Sequence, residues 1–295
     1  MAANTRDIRR RIKSIRNTAQ ITKAMQMVAA AKMRKAQQAA LAGRPFAEML
    51  NRVIVSVRDR EEELKHPLFE ERPVAKELIL VVTSDRGLCG AFNTNLLREL
   101  SKCDPANCLF VAIGRKGFQF LSRTRREIMA HFELKDMPTF ADIRPIAKLC
   151  IDQYLEGSVD RVRVLYNAFV NTLTQTPVLQ TVAPISPLKF GKEAQAQAGH
   201  ETGRQASDDH NGYLFEPAAG QLLDQVLPQY VTLEIQQMVL DSQAAEQSAR
   251  MVAMKNATEN AKQIVKDLTL EYNKLRQAGI TSELLEISTA QMALS

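Results

Sequence analysis

The residue types best suited to chemistry gather in one turn. Val81-Val82-Thr83-Ser84 runs an apolar segment into Asp85-Arg86-Gly87-Leu88-Cys89-Gly90. An α/β protein places its ligand loop in this setting, after a strand and before a helix. The turn is therefore a phosphate cradle, a cysteine nucleophile, or a surface against which another protein pushes. The cradle lacks its residues, because GxGxxG needs three glycines and a P-loop needs GKS or GKT, while Gly87 and Gly90 stand alone. A nucleophilic Cys89 needs a base, and none of His66, His131, His200 and His210 has a recognisable catalytic context. Cys89, Cys103, Cys108 and Cys150 form no CxxC, the acidic residues are scattered, and Glu61-Glu62-Glu63 reads as a solvated helix end. No catalytic residue, cofactor site or metal site is expected.

The elements that must position this turn have two grammars. From Thr5 to Arg60, Ile8, Ile12, Ile15, Ala19, Thr22, Gln26, Ala29, Met33, Ala36 and Ala40 recur at alternating steps of four and three. That is one long helix with a coiled-coil seam, and Gly43-Arg44-Pro45 predicts a bend in it. The same steps pick out Leu223, Val226, Tyr230, Leu233, Gln237, Leu240, Ala244, Gln247, Met251, Met254, Thr258, Ala261, Val265, Leu268, Tyr272 and Leu275. Pro228 predicts a start or kink near the beginning of this second helix, whose continuous part spans on the order of 70 Å.

Between them the pattern changes. Leu78–Thr83, Leu109–Ile113, Arg161–Val170 and Val178–Ile185 read as strands, and Asn93–Leu100, Phe118–Arg123 and Ile143–Glu156 read as helices. Their alternation predicts a mostly parallel sheet covered on both faces. Lys192–Asn211 has no periodicity and reads as an exposed loop. The fold class is therefore α/β: a long antiparallel two-helix coiled coil from the N- and C-terminal segments, with an inserted α/β domain. The expected divisions are residues 1–66 for the first helix, 74–190 for the domain, 191–212 for a mobile loop and 213–295 for the second helix. A two-helix stalk leaves about half its circumference uncovered, and Met25, Met27, Val28, Met251 and Met254 argue that partners enclose it.

Composition agrees with long helices. Aromatic residues are only 5% and tryptophan is absent, in a chain that is 45% hydrophobic and 24% charged. The net charge of +6 is uneven, with no acidic residue between Asp7 and Glu48 but Arg9, Arg10, Arg11, Lys13, Arg16 and Lys23 among the cations there. Such a segment suits an acidic partner, whether nucleic acid, anionic lipid or a carboxylate-lined protein. No aromatic interleaving or DNA-reading motif accompanies it. The cysteine usage suits a reducing compartment, and no run of about 18 apolar residues is present to span a bilayer.

Several segments resemble the gamma subunit of F-type ATP synthase. They are Arg6-Asp7-Ile8-Arg9, Ile15-Arg16-Asn17-Thr18, Ile21 through Met33, Asp85 through Gly90, Tyr213-Leu214-Phe215-Glu216-Pro217, and Ser248 through Thr258, in the family's order along nearly the whole chain. The resemblance implies a non-catalytic central rotor stalk that couples rotation of a membrane ring to conformational change in catalytic beta subunits. It implies a Rossmann-like domain for the insertion. It implies the alpha and beta subunits, the epsilon subunit and the proton-driven c ring as partners, and no nucleic acid.

The resemblance also places residues. Lys23 and Met25, and the turn with Arg86 and Cys89, would lie near an acidic loop of the beta subunits. Arg250, Gln277 and Thr281 match positions of a catch between the stalk and the surrounding ring, and Tyr213 to Glu216 match the foot near epsilon and the membrane ring. The chain departs from the family where Thr281-Ser282-Glu283-Leu284-Leu285-Glu286-Ile287 is followed by Ser288-Thr289-Ala290-Gln291 instead of Val-Ser-Gly-Ala. No cysteine-bearing regulatory insertion is seen. The early start of the motif at Arg6 leaves little room for a presequence, so the expected location is peripheral, on the cytoplasmic face of a bacterial plasma membrane. A Rossmann-like nucleotide-binding enzyme with a helical dimerisation arm, and a basic coiled-coil DNA binder, are the competing readings.

Overall fold

The computed structural model describes residues 2–58, 66–185 and 219–294. The expected loop at 191–212, the Tyr213–Pro217 motif, Glu61–Glu63, His200 and His210 lie outside the described residues. In chain order the elements are α1 (Ala2–Arg58), a 3-10 turn (Pro67–Phe69), β1 (Glu77–Val82), α2 (Phe92–Leu100), β2 (Cys108–Ile113), α3 (Arg115–Arg123), β3 (Ile128–Phe132), α4 (Phe140–Leu155), β4 (Arg161–Phe169), β5 (Gln175–Ala183) and α5 (Ala219–Leu294). They form two compact units. The first comprises Met1–Lys32, Leu88–Gly90 and Gln247–Ser295, and the second comprises Met33–Gly87 and Ala91–Glu246.

In the second unit the strands lie in the order β3-β2-β1-β4-β5. The first four are mutually parallel and β5 runs antiparallel to β4. Alternate residues of β1 point to opposite faces, and both faces are covered. Leu78, Leu80 and Val82 join the α4 residues Ile143, Ile146 and Tyr154 and the α5 residues Leu227, Tyr230 and Ile235, with Leu50 and Ile54 of α1 in the same core. Ile79 and Val81 join Leu96 and Leu100 of α2 and Leu121 of α3 on the other face.

The structure adds β3, which was not expected. Its five residues are only half-buried, and as an edge strand it lacks the continuous apolar run that marks β1 and β2. β5 starts before the expected Val178, and Pro177 is tolerated because an edge strand has a side free of ladder bonds. The bend expected at Gly43-Arg44-Pro45 does not interrupt α1, which runs unbroken through Pro45. Proline removes one helical hydrogen bond at a cost of about 3 kcal/mol. Buried Ala40 before it and buried Leu50 and Ile54 after it offset that cost by tertiary packing. Pro228 likewise lies inside α5 and does not start it.

In the first unit, α1 and α5 pair along their seams. Ile8, Ile12 and Ala29 are buried on one helix and Met254, Thr258 and Ala261 on the other. Thr22 meets Thr258. Pairing in the antiparallel sense brings Ile8 level with Tyr272, where the seam of each helix ends. Beyond Leu275, α5 carries Leu284, Leu285 and Ile287 with exposed side chains, as expected once it has passed the start of α1.

Candidate interaction surface

The turn after β1 has its ligand positions already filled. In a nucleotide-binding fold the first-turn N–H groups of a helix beside such a turn point at phosphate, and the helix end that meets this turn is that of α3, after β2. Here those of α3 point at the chain itself. Arg115 N donates to Asp85 Oδ1 at 3.0 Å, Lys116 N to the Ser84 carbonyl at 3.1 Å, and Gly117 N to Thr83 Oγ1 at 2.8 Å. Thr83 Oγ1 in turn donates to the Ile113 carbonyl at 3.0 Å. The approach is so close that a Cβ on Gly114 would sit 2.2 Å from the Thr83 carbonyl oxygen, at a φ of +88° that already favours glycine. Asp85 supplies the negative charge that the helix end favours. The N-terminus of α3, the helix that follows β2, is thus occupied by the turn after β1 and is closed to an outside anion.

The remainder of the turn is fixed from within the second unit as far as Gly87. Ser84 Oγ donates to the Arg86 carbonyl at 2.8 Å, and Asn93 Nδ2 donates to Ser84 Oγ at 2.7 Å. Arg86 is exposed. Leu88 adopts a left-handed φ of 66°, unusual for a branched side chain, and is exposed, whereas Cys89 is only 2% exposed. The thiol is turned inward and the leucine outward. Leu88–Gly90 belongs to the helical unit, where a Cβ on Gly90 would come 3.9 Å from the Cβ of Ala253.

The antiparallel register sorts the remaining expected residues of the first unit into two levels. With Thr22 level with Thr258, Lys23 and Met25 fall opposite 257 and 255, next to Ala253 and Gly90 and within two turns of Arg250. Lys23 is exposed, and Met25 and Arg250 are half-buried. Gln277 lies about 36 Å farther along α5 than Ala253 at 1.5 Å per residue. Thr281 is one turn beyond, its hydroxyl donating to the Gln277 carbonyl at 3.0 Å. The sites thus form a collar and a tip rather than one cluster. Tyr213 and Glu216 lie outside the described residues.

The methionines divide differently from expectation. Met27 is 61% exposed and Val28 is 55% exposed, but Met254 is 4% exposed and fills the seam. Met254 therefore does not contribute to an outer surface. The seam spacing already contained this signal, since Met254 is a seam position and Met27 and Val28 are not. Reading by spacing did not single out the exposed Ile21 beside them, or Leu284, Leu285 and Ile287 at the tip.

Elsewhere the ionisable groups serve the fold. Burial pushes the Cys150 thiol up to about 12, which keeps it protonated and unreactive. Backbone N–H donors from Lys76 and Ala75 hold the Asp160 carboxyl below its ordinary value. Among the described residues, no group of three or more His, Cys, Asp or Glu side chains is placed to hold a metal ion. No described helix is long and apolar enough to cross a membrane.

Comparison with known proteins agrees along the chain. A family model described as ATP synthase matches residues 4–294. The ATP synthase gamma chain of Methylacidiphilum infernorum is 48% identical, over 99% of each chain. That of Opitutus terrae is 46% identical, again over 99% of each. A chain of the Euglena gracilis mitochondrial ATP synthase, from its OSCP/F1/c-ring structure, has the same fold, with a TM-score of 0.67 at 20% identity over 100% of this chain and 95% of that one. With a family match spanning nearly every residue and relatives close to half identical from end to end, the chain belongs to the ATP synthase gamma chain family.

Proposed function

We propose that the chain is the non-catalytic central rotor stalk of an F-type ATP synthase, seated peripherally on the cytoplasmic face of a bacterial plasma membrane. Its division into a stalk from 1–66 and 213–295, a domain from 74–190 and a loop from 191–212 is part of this reading. One observation carries it. The helix pair of the first unit keeps large apolar side chains outward at two levels, Ile21, Met27 and Val28 at the collar and Leu284, Leu285 and Ile287 at the tip. Exposed apolar surface of this kind calls for an enclosing partner. Family membership supplies that partner as the ring of alpha and beta subunits, with epsilon and the c ring at the foot.

The chemistry suits turning under load. Apolar contact is non-directional, so a sleeve around Met27, Val28 and Leu284 holds the shaft without fixing its angle. Lys23 and Arg86 supply directed charge to an acidic loop of a beta subunit, where guanidinium and ammonium groups set steering and register. Arg250, Gln277 and Thr281 act as the catch, Met25 packs beside Lys23, and the inward Cys89 holds the turn that presents Leu88 and Arg86. Tyr213 and Glu216, outside the described residues, are assigned to the foot by the family resemblance alone. No bond is made or broken by this chain.

Co-expression with alpha and beta subunits, followed by gentle extraction, tests the reading. A six-membered ATPase ring that co-purifies with this chain is expected. Its absence, or stoichiometric ATP turnover by the purified chain that is abolished by Arg86→Ala, contradicts it.

A further inference from the structure

β4 and β5 form a hairpin that overruns the sheet. Val81 of β1 is level with Leu165 of β4, and β4 continues in the same direction to Phe169, about 13 Å farther at 3.3 Å per residue. This is the end of the sheet where β1 leads into the turn bearing Arg86. Two bonds hold the overrun in place. Asn167 Nδ2 donates to the Phe92 carbonyl at the start of α2 at 3.3 Å, and Phe169 N donates to Asp241 Oδ2 of α5 at 3.1 Å.

The hairpin loop, Val170-Asn171-Thr172-Leu173-Thr174, reverses the usual arrangement of a loop. Its polar groups close on one another. Asn171 Oδ1 accepts from Leu173 N at 2.9 Å and from Thr174 N at 2.7 Å, Asn171 N donates to the Thr174 carbonyl at 3.2 Å, and Gln175 Nε2 donates to the carbonyls of Asn171 and Thr172 at 3.4 and 3.3 Å. Its apolar side chains face outward, with Val170 61% and Leu173 78% exposed. Charge is missing as well, since no Asp, Glu, Lys or Arg occurs between Arg163 and Lys189. The other two connections at this end of the sheet are charged, with Asp85 and Arg86 after β1 and Arg115 and Lys116 after β2. An apolar knob flanked by charged turns has the anatomy of an interface, apolar at its centre and polar at its rim.

We propose, resting on the rotor assignment above, that Val170 and Leu173 seat in an apolar recess of a beta subunit, beside the acidic loop that Arg86 meets. The shared end of the sheet selects this occupant. An uncharged loop takes no part in the ionic contact and adds an apolar one next to it. The bonds within the loop set its shape before contact, so little ordering is needed each time the turning shaft meets the next beta subunit.

Photo-crosslinking in the ring co-purified with the full chain tests the proposal. Benzophenone maleimide is placed on Leu173→Cys in a Cys103→Ser background, where the remaining cysteines, Cys89, Cys108 and Cys150, are buried. Irradiation is expected to join this chain to a beta subunit, with a yield at least about tenfold below that for Thr124→Cys, at the far end of α3. Leu173→Asp is expected to leave the ring about tenfold faster and Leu173→Met at the unaltered rate, both with an unaltered urea midpoint because the side chain is exposed. Adducts only with alpha, epsilon or c-ring subunits or with a second copy overturn the proposal, as do equal yields at 124 and 173 or a Leu173→Asp chain released no faster. A retained ring without the beta adduct overturns the loop contact alone, whereas a chain that retains no ring overturns the rotor assignment and the loop contact with it.

Discussion

The hydroxyls of Thr22 and Thr258 meet at 2.7 Å across the helix pair, joining positions 236 residues apart in the chain. Each hydroxyl also reaches a carbonyl of its own helix, Thr22 Oγ1 that of Ala19 at 3.1 Å and Thr258 Oγ1 that of Met254 at 2.8 Å, so either one can donate across the pair. A polar pair meeting across a largely apolar seam is stable only when both partners are aligned, so it favours one register.

Replacing one threonine by valine removes the bond across the pair and leaves the other hydroxyl only the carbonyl of its own helix. Thr22→Val and Thr258→Val are each expected to cost about 1 kcal/mol in urea unfolding of the full chain. The double variant is expected to recover most of that loss, giving a coupling near 1 kcal/mol, with a looser register visible as faster hydrogen exchange along both helices. Additive losses contradict the pairing.

Asp85 caps α3 across the turn. Asp85→Ala is expected to lower stability by about 1 kcal/mol, as loss of a helix N-terminal acceptor does. It is not expected to create nucleotide affinity, because Thr83 and Ser84 still occupy their two N–H groups. Gly114→Ala is expected to be worse, since the added Cβ meets backbone at a positive φ. Thermal unfolding and ATP calorimetry of both variants check this.

These elements also divide what the sequence made legible from what it did not. The seam of α5 was legible because burial repeats with the helix, and the structure buries or half-buries Leu223 through Leu275 at the expected positions. Thr22 and Thr258 stood out as polar exceptions on two helices, but their meeting depends on register, which periodicity does not specify. The start of α3 at Arg115 was hidden because its cap comes from Asp85, 30 residues earlier. β3 was hidden because a half-buried edge strand containing His131 carries neither strict alternation nor an apolar run. Lys23, Arg86, Arg250, Gln277 and Thr281 were found by family resemblance alone, since in a sequence a polar side chain reads the same whether it meets water, its own chain or a partner.

Glu77 holds the first residues of β1 and β4 together through Arg161 and Arg163, with its side chain 10% exposed. Glu77→Ala leaves two facing guanidiniums without their carboxylate, and a loss of about 3 kcal/mol is expected. Glu77→Gln keeps the shape and an acceptor and is expected to lose less. Urea midpoints of the two variants check the order, and equal losses contradict a charge-based role.

His66 gives a pH dependence with a defined sign. Its Nδ1 accepts from Leu68 N at 3.1 Å, and its Nε2 lies 3.2 Å from Asp224 Oδ1, so the folded state holds it neutral. Burial lowers its pKa below the ordinary 6.5, outweighing the attraction of Asp224. The folded chain thus binds this proton less readily than the unfolded chain. Its contribution is full above pH 6.5 and is lost as pH falls from there through the folded value. His66→Gln is expected to flatten the fall in stability on acidification, and an unchanged slope in urea titrations across that range contradicts it.

The central claim is that this chain turns as a shaft inside a ring. The direct measurement fixes a ring of alpha and beta subunits to a surface, attaches a visible probe to the α/β domain of this chain at Lys116, and adds ATP. The account predicts stepwise rotation of the probe in one direction, with Arg250→Ala slipping or stalling while the free chain keeps its stability. Steady ATP hydrolysis by the assembled ring with the probe stationary would contradict it.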